Sequence, residues 1–169
     1  SGDGQDFVAL MSDGTRERGL SGADIHRALR DIPGVKVLIL DACFSGAAIG
    51  KGLDAPRVSS PFTGPDFKVL TSAGGDEPSF LWTDGEGTVR GGSYFAQALT
   101  EGLNAFGGLA ADANGDGAVT LAELHAHQLR AYGASTPQLY PEGDATPLFV
   151  ASHTDPGVPR PLTRDRKST

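Results

Sequence analysis

The sequence is short of cysteine, of positive charge and of long apolar runs. Its single cysteine, Cys43, excludes an internal disulfide framework and any zinc site that needs several cysteines. Lys and Arg number 14 against 21 Asp and Glu, and the net charge of −7 argues against nucleic acid or an anionic membrane as a partner. The longest apolar stretch, 35–48, contains Lys36 and Asp41 and is too short and too polar to span a bilayer.

The remaining composition is that of a folded protein. A chain of 169 residues with 38% hydrophobic residues has the size of one domain and enough apolar surface for a core. Because the sequence opens at Ser1 rather than Met, we expect a processed product or a fragment. The lone cysteine is compatible with a reducing compartment, so we favour the cytoplasm. The tail, 155–169, has three prolines and no periodicity, and we expect a linker or disorder there.

Apolar periodicity predicts strands alternating with helices. Such alternation favours an α/β domain with a largely parallel sheet, and 35–41 (VKVLILD) is typical of a strand covered on both faces. Ser21 and Asp24 form the capping box of the first helix. The segments 50–66 and 84–92, rich in Gly and Pro, predict exposed mobile loops. The predicted strands are 7–10, 35–41, 67–72, 80–83 and 148–151, and the predicted helices are 21–30, 93–106 and 121–132.

Cys43 lies one residue beyond the end of the predicted buried strand. In parallel α/β sheets, the carboxyl ends of the strands line the ligand crevice. A helix starting just after Cys43 would direct backbone N–H groups at the sulfur and stabilise a thiolate. The alternative is a buried apolar cysteine that only fills space.

Four segments together resemble one enzyme family. The segment 41–46 (DACFSG), following VLIL, resembles the nucleophile segment of caspase-like cysteine peptidases, the caspase/metacaspase superfamily, especially its bacterial members. Three later segments are similar to successive parts of the same family: 67–80, 92–103 and 136–151.

The resemblance covers roughly residues 1–152 and implies a fold and a domain plan. The implied fold is a three-layer αβα sandwich with a mostly parallel sheet, its N-terminal strands missing. The implied substrate is a protein or peptide, and the oligomeric state stays open. The implied parts are a peptidase domain, 1–154, composed of a large-subunit part (about 1–83), an inter-subunit loop (84–92) and a small-subunit part (93–154).

The family's second catalytic residue is a histidine in a Ser-Gly-His-Gly turn upstream of the cysteine. This sequence begins Ser-Gly-Asp-Gly, so the resemblance places Asp3 at the position of the general base. It also implies an oxyanion hole formed by the N–H groups of Gly4 and Cys43. A carboxylate is ionised at neutral pH, donates protons poorly and disfavours a nearby thiolate. We therefore expect an inactive or weakened member, and none of the four histidines is expected to replace the base.

Two carboxylates are expected to set specificity. Asp41 and Asp76 match positions that are acidic in metacaspase-like proteins, and two carboxylates in a partly desolvated pocket favour Arg or Lys at the cleavage position. The alternative is that Asp41 only ends a strand and that 76–78 forms a turn. Arg90, in the glycine-rich segment between the implied subunits, is a candidate for self-cleavage.

A second motif, 112–123 (DANGDGAVTLAE), fits the twelve-residue calcium loop at every defined position. Gly117 allows the sharp turn that this loop requires, so we expect Ca²⁺ here, as a structural clip of modest affinity. The alternative is an acidic turn that caps the next helix. The predicted ligands are the side chains of Asp112, Asn114, Asp116, Thr120 and Glu123 and the backbone carbonyl of Ala118.

Three functions stay open at this point. They are a caspase-like cysteine endopeptidase that cleaves after Arg or Lys, an inactive pseudoprotease that binds peptides or acts as a scaffold, and a calcium-binding α/β domain.

Overall fold

The computed structural model describes residues 8–12, 17–43, 45–49, 62–83, 86–131, 133 and 135–150. These residues form a mixed α/β structure. Within these ranges, no helix combines the length and the apolar character needed to cross a membrane. The helices are α1 (Gly22–Leu29), α2 (Tyr94–Gly102) and α3 (Leu121–Ala131), with short 3₁₀ helices at Ser45–Ile49 and Ala105–Gly107. The strands are β1 (Val8–Ser12), β2 (Glu17–Ser21), β3 (Lys36–Leu40), β4 (Phe67–Thr71), β5 (Leu81–Thr83), β6 (Val89–Ser93), β7 (Ala118–Thr120), β8 (Gln138–Tyr140) and β9 (Pro147–Val150).

Three strands form the central sheet, in the order β3-β4-β8. β3 and β4 run parallel, with Lys36 opposite Phe67, and β8 runs antiparallel to β4. The remaining described strands form antiparallel pairs, β1–β2, β5–β6 and β7–β9. In the described part of the chain, the expected largely parallel sheet is therefore limited to one parallel pair.

β4 separates two groups of buried side chains. Alternate residues of a strand point to opposite faces, so Val69 and Leu70 enter different groups. On one face, Val69 packs with residues of β3 and of the 3₁₀ helix, and on the other, Leu70 packs with residues of α2 and α3. The first group is Leu38, Ala48, Ile49, Phe62, Phe67 and Val69. The second is Leu70, Phe95, Leu109, Ala111, Val119, Leu121, Leu124 and Leu139.

Two expectations about burial are wrong. Among the described residues, β3 is well covered on one face only, because Val37 and Ile39 on its other face stay 39% and 38% exposed while Leu38 is buried. Phe62 lies in a segment predicted to be an exposed loop, yet it is fully buried, with its ring 5.5 Å from that of Phe67. Burial of the large apolar surface of Phe62 stabilises the fold, and the Gly- and Pro-rich composition of the segment does not indicate this contribution. Residues 50–61 of the same segment lie outside the described residues.

The helix starts follow the sequence closely. Ser21 caps α1 by accepting the Asp24 N–H, and the Asp24 carboxylate accepts the Ser21 N–H, as predicted. The Ser21 hydroxyl also lowers the pKa of Asp24. Ser93 caps α2, but that helix ends at Gly102 and not at 106. The reason is that the Asn104 side chain accepts the backbone N–H groups of residues 106 and 107 and starts a separate 3₁₀ turn.

An ion pair connects the central sheet to the segment between β8 and β9. Lys68 of β4 lies 2.7 Å from Asp144, and their side chains are 16% and 9% exposed. Burial alone would raise the pKa of Asp144, but hydrogen bonds from Lys68 and Thr146 bring it below its ordinary value. The carbonyls of Asp144 and Thr146 in turn accept the first N–H groups of α3, from Ala122 and Leu121. The pair therefore fixes the position of α3 relative to β4.

Replacing Asp144 by asparagine is expected to destabilise the fold by about 2–3 kcal/mol at pH 7, because it leaves the Lys68 charge largely buried without a partner. The folded-state pKa of Asp144 lies below its unfolded value of 3.8, so the carboxylate's contribution is complete above that pH. It is lost as the pH falls through the lowered folded pKa. Urea unfolding of both proteins from pH 7 to pH 2.5 checks this, and a stability difference that does not shrink with falling pH would contradict it.

Candidate active site and calcium loop

Cys43 lies in a tight turn directly after β3. The turn spans Ala42–Ser45 and is closed by a hydrogen bond of 3.2 Å from the Ser45 N–H to the Ala42 carbonyl. The thiol is partly exposed, and its Sγ lies 3.6 Å from the carbonyl oxygen of Ser79. Cys43 is thus at the carboxyl end of a strand in a parallel pair, as expected, and is not sealed in the core.

The helix expected after Cys43 is a 3₁₀ helix of five residues, Ser45–Ile49. It is too short to carry the dipole of a full α-helix. Its glycine lets it lie against the loop that follows β4, because a Cβ at Gly46 would come within 2.7 Å of the backbone of Gly74 and Gly75. The cysteine turn is therefore held by close backbone packing more than by helix electrostatics.

A group of fully buried hydroxyls lies under the cysteine turn. The Ser72 Oγ accepts a hydrogen bond of 3.1 Å from the Ala42 N–H. The Ser45 Oγ lies 3.5 Å from the Ser72 Oγ and accepts the Ala73 N–H at 3.2 Å. The Thr71 hydroxyl donates to the Ala73 carbonyl at 3.0 Å. These contacts join the ends of β3 and β4 through side chains that have no access to water.

Asp41 is oriented by two serines, Ser79 just before β5 and Ser93 at the end of β6. The Ser79 hydroxyl donates to its Oδ1 at 3.2 Å, and the Ser93 hydroxyl donates to its Oδ2. Ser93 also accepts the Ala96 N–H as the cap of α2. Asp41 itself is exposed, two residues before Cys43. Its carboxylate is therefore fixed in direction and still open to solvent, which suits it to receive a cationic side chain.

Asp76, the second predicted specificity residue, and the adjacent Glu77 differ in their contacts. Asp76 is exposed in the loop after β4. Glu77 accepts the Gly74 N–H at 2.8 Å and also the Thr136 N–H. Glu77 therefore connects this loop to the segment before β8. Within the described part of the chain, Asp76 is the member of this acidic pair whose carboxylate has no hydrogen-bond or ion-pair partner.

The glycine-rich segment 84–92 is not the open loop that its composition predicts. β5 and β6 pair, with Leu81 opposite Ser93 and Thr83 opposite Val89. Arg90 lies within β6, so self-cleavage there requires this hairpin to open. The turn at 86–88 between the strands is exposed.

The proposed base and one oxyanion donor, Asp3 and Gly4, lie outside the described residues. The other donor can be located. Within the described residues, no backbone acceptor takes a hydrogen bond from the Cys43 N–H.

The backbone of 112–123 is stabilised by hydrogen bonds to side chains of the same loop. Asp112 accepts the N–H groups of Gly115 and Gly117 at 2.7 and 2.9 Å. Gly117 has φ of 82°, a left-handed conformation that favours glycine. Asp116 likewise accepts the Ala118 N–H at 2.8 Å, and Asn114 accepts that of Asp116 at 2.8 Å. The donor set consists of hard oxygens and fits Ca²⁺ in its chemistry and order.

Two of the predicted ligands in this loop form hydrogen bonds with each other. The Glu123 Oε2 accepts the N–H and the hydroxyl of Thr120, and Thr120 accepts the Glu123 N–H, which is a capping box for α3. Across the described ranges, no group of three or more His, Cys, Asp or Glu side chains is arranged to hold a metal. The loop contains three residues of these four types, Asp112, Asp116 and Glu123. Its other predicted ligands are an amide, a hydroxyl and a carbonyl.

The loop is anchored by β9. Val119 is fully buried and lies opposite Phe149 in the β7–β9 pair. In the part of the chain that the structure describes, the predicted last strand thus pairs with the loop 112–123 and not with the central sheet. This pairing gives a single loop a fixed strand to pack on.

Sequence reasoning missed the serines that organise this region: Ser45, Ser72, Ser79 and Ser93. Ser72 and Ser93 lie in the short segments 71–73 and 92–93, Ser45 is two residues after Cys43, and Ser79 directly follows Pro78. Their partners are distant in sequence, so no local pattern indicated them. Comparison with known proteins gives no assignment, since no family model and no curated protein matches the chain.

Proposed function

We propose that the chain is a caspase-like cysteine endopeptidase that cleaves peptide bonds after Arg or Lys. The observation that carries this proposal is the partly exposed thiol of Cys43, at the carboxyl end of β3, two residues after a carboxylate that Ser79 and Ser93 orient. The arrangement combines a nucleophile, an anion for the substrate side chain and the Cys43 N–H, which has no backbone acceptor among the described residues.

The chemistry follows from these groups. The Cys43 thiolate adds to the carbonyl carbon of the substrate, and the carbonyl electron pair moves to oxygen, where the Cys43 N–H stabilises it. Collapse of this adduct breaks the C–N bond, and the amine leaves with a proton. Water then hydrolyses the thioester and returns the thiol. Asp3, at the position of the general base, supplies these proton transfers poorly, so turnover is slow.

The substrate surface has a charged and an apolar part. Asp41 and Asp76 receive the guanidinium or ammonium of the residue before the cleaved bond. Phe80 and Leu81 follow Ser79, whose carbonyl contacts Cys43, and they are 44% and 58% exposed. We assign the residues preceding the basic one to this apolar pair.

The fold supports the family assignment in two respects. β4 has a separate buried group on each face, with α1 and the 3₁₀ helix 45–49 on one side and α2 and α3 on the other. This arrangement supports the proposal of a three-layer αβα sandwich. The parallel pair β3–β4 also places Cys43 and the loop of Asp76 at the same sheet edge.

We also propose Ca²⁺ at residues 112–123. Asp112, Asn114, Asp116, Thr120 and Glu123 would hold it by side chain, and Ala118 by its carbonyl. The ion would supply charge neutralisation for the acidic loop and would stabilise the start of α3, without a part in bond cleavage.

Cleavage after arginine tests the proposed activity. We expect a fluorogenic peptide ending in Arg to be hydrolysed slowly, and the same peptide ending in citrulline, which lacks the charge, to be hydrolysed at least tenfold more slowly. In the Asp41→Asn variant, kcat/KM for the Arg peptide should fall by about 10- to 100-fold, the range of a hydrogen bond to a charged group. The citrulline rate should change little.

The controls separate chemistry from folding. Cys43→Ala should abolish hydrolysis. Asp31→Asn removes a carboxylate that is 84% exposed and pairs with Arg30 near the opposite end of β3, so it should leave both rates unchanged. Binding of the Arg peptide without hydrolysis, in the chain as it is and after Asp3→His, would contradict the peptidase proposal. That outcome would favour a peptide-binding pseudoprotease, for which the carboxylate at position 3 is the supporting observation.

A further inference from the structure

We infer that Ser72, together with Ser45, is a positioning residue that fixes the direction of the Cys43 N–H. This inference rests on the proposed peptidase function, because it concerns the donor that stabilises the negatively charged oxygen of the reaction. It assigns a role to a buried pair of hydroxyls that otherwise has no part in the chemistry.

The peptide unit between Ala42 and Cys43 couples the Ala42 carbonyl to the Cys43 N–H. This unit is planar, and in the usual trans form its C=O and N–H point in opposite directions. Whatever fixes the Ala42 carbonyl therefore fixes the Cys43 N–H. Two donors lie at that carbonyl, the Ser45 N–H at 3.2 Å and the Ser72 hydroxyl at 3.3 Å.

Ser72 holds the other side of residue 42 as well. Its Oγ accepts the Ala42 N–H at 3.1 Å, and its own N–H donates to the Leu40 carbonyl at 2.9 Å. One side chain thus controls both polar backbone groups of the residue before the nucleophile. Because Ser72 is fully buried, water does not replace these bonds.

Ser45 stabilises the same arrangement from the other side. It is also fully buried, and its Oγ accepts the Ala73 N–H while lying 3.5 Å from the Ser72 Oγ. Its hydroxyl proton is directed to the Ala73 carbonyl or to Ser72. The two serines therefore connect the turn of Cys43 to the backbone that follows β4.

A peptide aldehyde measures this effect, with acetyl-Leu-Leu-argininal as the probe. The thiol of Cys43 adds across the aldehyde: a C–S bond forms, the carbonyl electron pair moves to oxygen, and the thiol proton ends on that oxygen. The adduct oxygen occupies the place of the oxyanion. In Ser72→Ala we expect the dissociation constant of the aldehyde to rise about tenfold, a partial loss of one oxyanion donor. Binding of the matching alcohol, which adds no thiol, should not change.

Alkylation of Cys43 by iodoacetamide provides the second measurement. This reaction displaces iodide at a saturated carbon and needs no oxyanion donor, so its rate against pH should stay within about twofold in Ser72→Ala. Thr71→Val is the matched control. It removes a neighbouring, fully buried hydroxyl that donates to the Ala73 carbonyl, and it should leave both measurements unchanged. Urea unfolding verifies that each variant is folded. If Ser72→Ala does not fold, Ser45→Ala replaces it in both measurements, and we expect its effects to have the same direction.

The outcomes are distinct. An unchanged preference for the aldehyde over the alcohol in Ser72→Ala would overturn the inference, and so would a parallel fall in the iodoacetamide rate, which indicates a general structural role. If the unaltered chain binds the aldehyde no better than the alcohol, the proposed peptidase function itself fails and the inference fails with it.

Discussion

Replacing Asp3 by histidine is expected to raise kcat/KM for the Arg peptide by about 10²- to 10⁴-fold, the usual contribution of a positioned general acid–base. An imidazole takes the thiol proton, stays beside the thiolate as a cation and then protonates the leaving amine. A carboxylate at the same place is ionised at neutral pH and repels the thiolate. Initial rates of hydrolysis, with equal amounts of folded protein, measure the change.

Two variants make this result specific. Asp3→Asn removes the negative charge without adding a base, so it should raise the rate far less than Asp3→His. The double variant Asp3→His with Cys43→Ala should be inactive. Equal rates for the histidine and asparagine variants would show that residue 3 is not the base position, and the alignment of 1–4 with the family turn would then be wrong.

Calcium is expected to stabilise the chain against unfolding, by about 2.7 kcal/mol when the free ion is at 100 times its dissociation constant. Glu123→Gln should remove this stabilisation. Glutamine replaces glutamate in a capping box, so the hydrogen bonds between residue 123 and Thr120 persist while the carboxylate ligand is lost. The variant should therefore match the unaltered chain without calcium and differ from it only when calcium is added.

Urea unfolding with and without calcium, and with magnesium as the comparison ion, measures both effects. Glu101→Gln is the control, since this exposed glutamate lies on α2, outside the loop. It should retain the full response to calcium. A lower stability of Glu123→Gln in the absence of calcium, with the calcium response intact, would instead assign Glu123 to the helix cap alone. That result would leave the motif as an acidic turn.

The features that short segments specify were predicted well. Ser21 and Asp24 begin α1 at the predicted residue, because a capping box involves groups only three residues apart. The strand 67–71 follows from its own run of apolar residues. The position of Cys43 beyond the end of β3 was likewise predicted, because the strand pattern and the following small residues are adjacent in sequence.

The short strands were not predictable in this way. β7 has three residues, of which only Val119 is fully buried, and it is a strand because Val119 lies opposite Phe149 of β9. β6 contains two glycines and was expected to be a loop, and pairing with β5 makes it a strand. A short polar or glycine-rich segment becomes a strand through hydrogen bonds to a partner strand outside the segment, and the residues of the segment itself do not indicate that partner.

The sequence by itself determined the kinds of groups available here: a thiol after a strand, carboxylates beside it, and a loop whose oxygen donors have the spacing of the calcium-loop motif. The tertiary structure alone decided how they are held. The partner of Asp41 is Ser93, 52 residues away, and Ala42 is fixed by Ser72, 30 residues away. The reason is that composition and spacing act within a turn or a strand, whereas the direction of a carboxylate or an N–H group depends on buried hydrogen bonds that only the packed chain brings together.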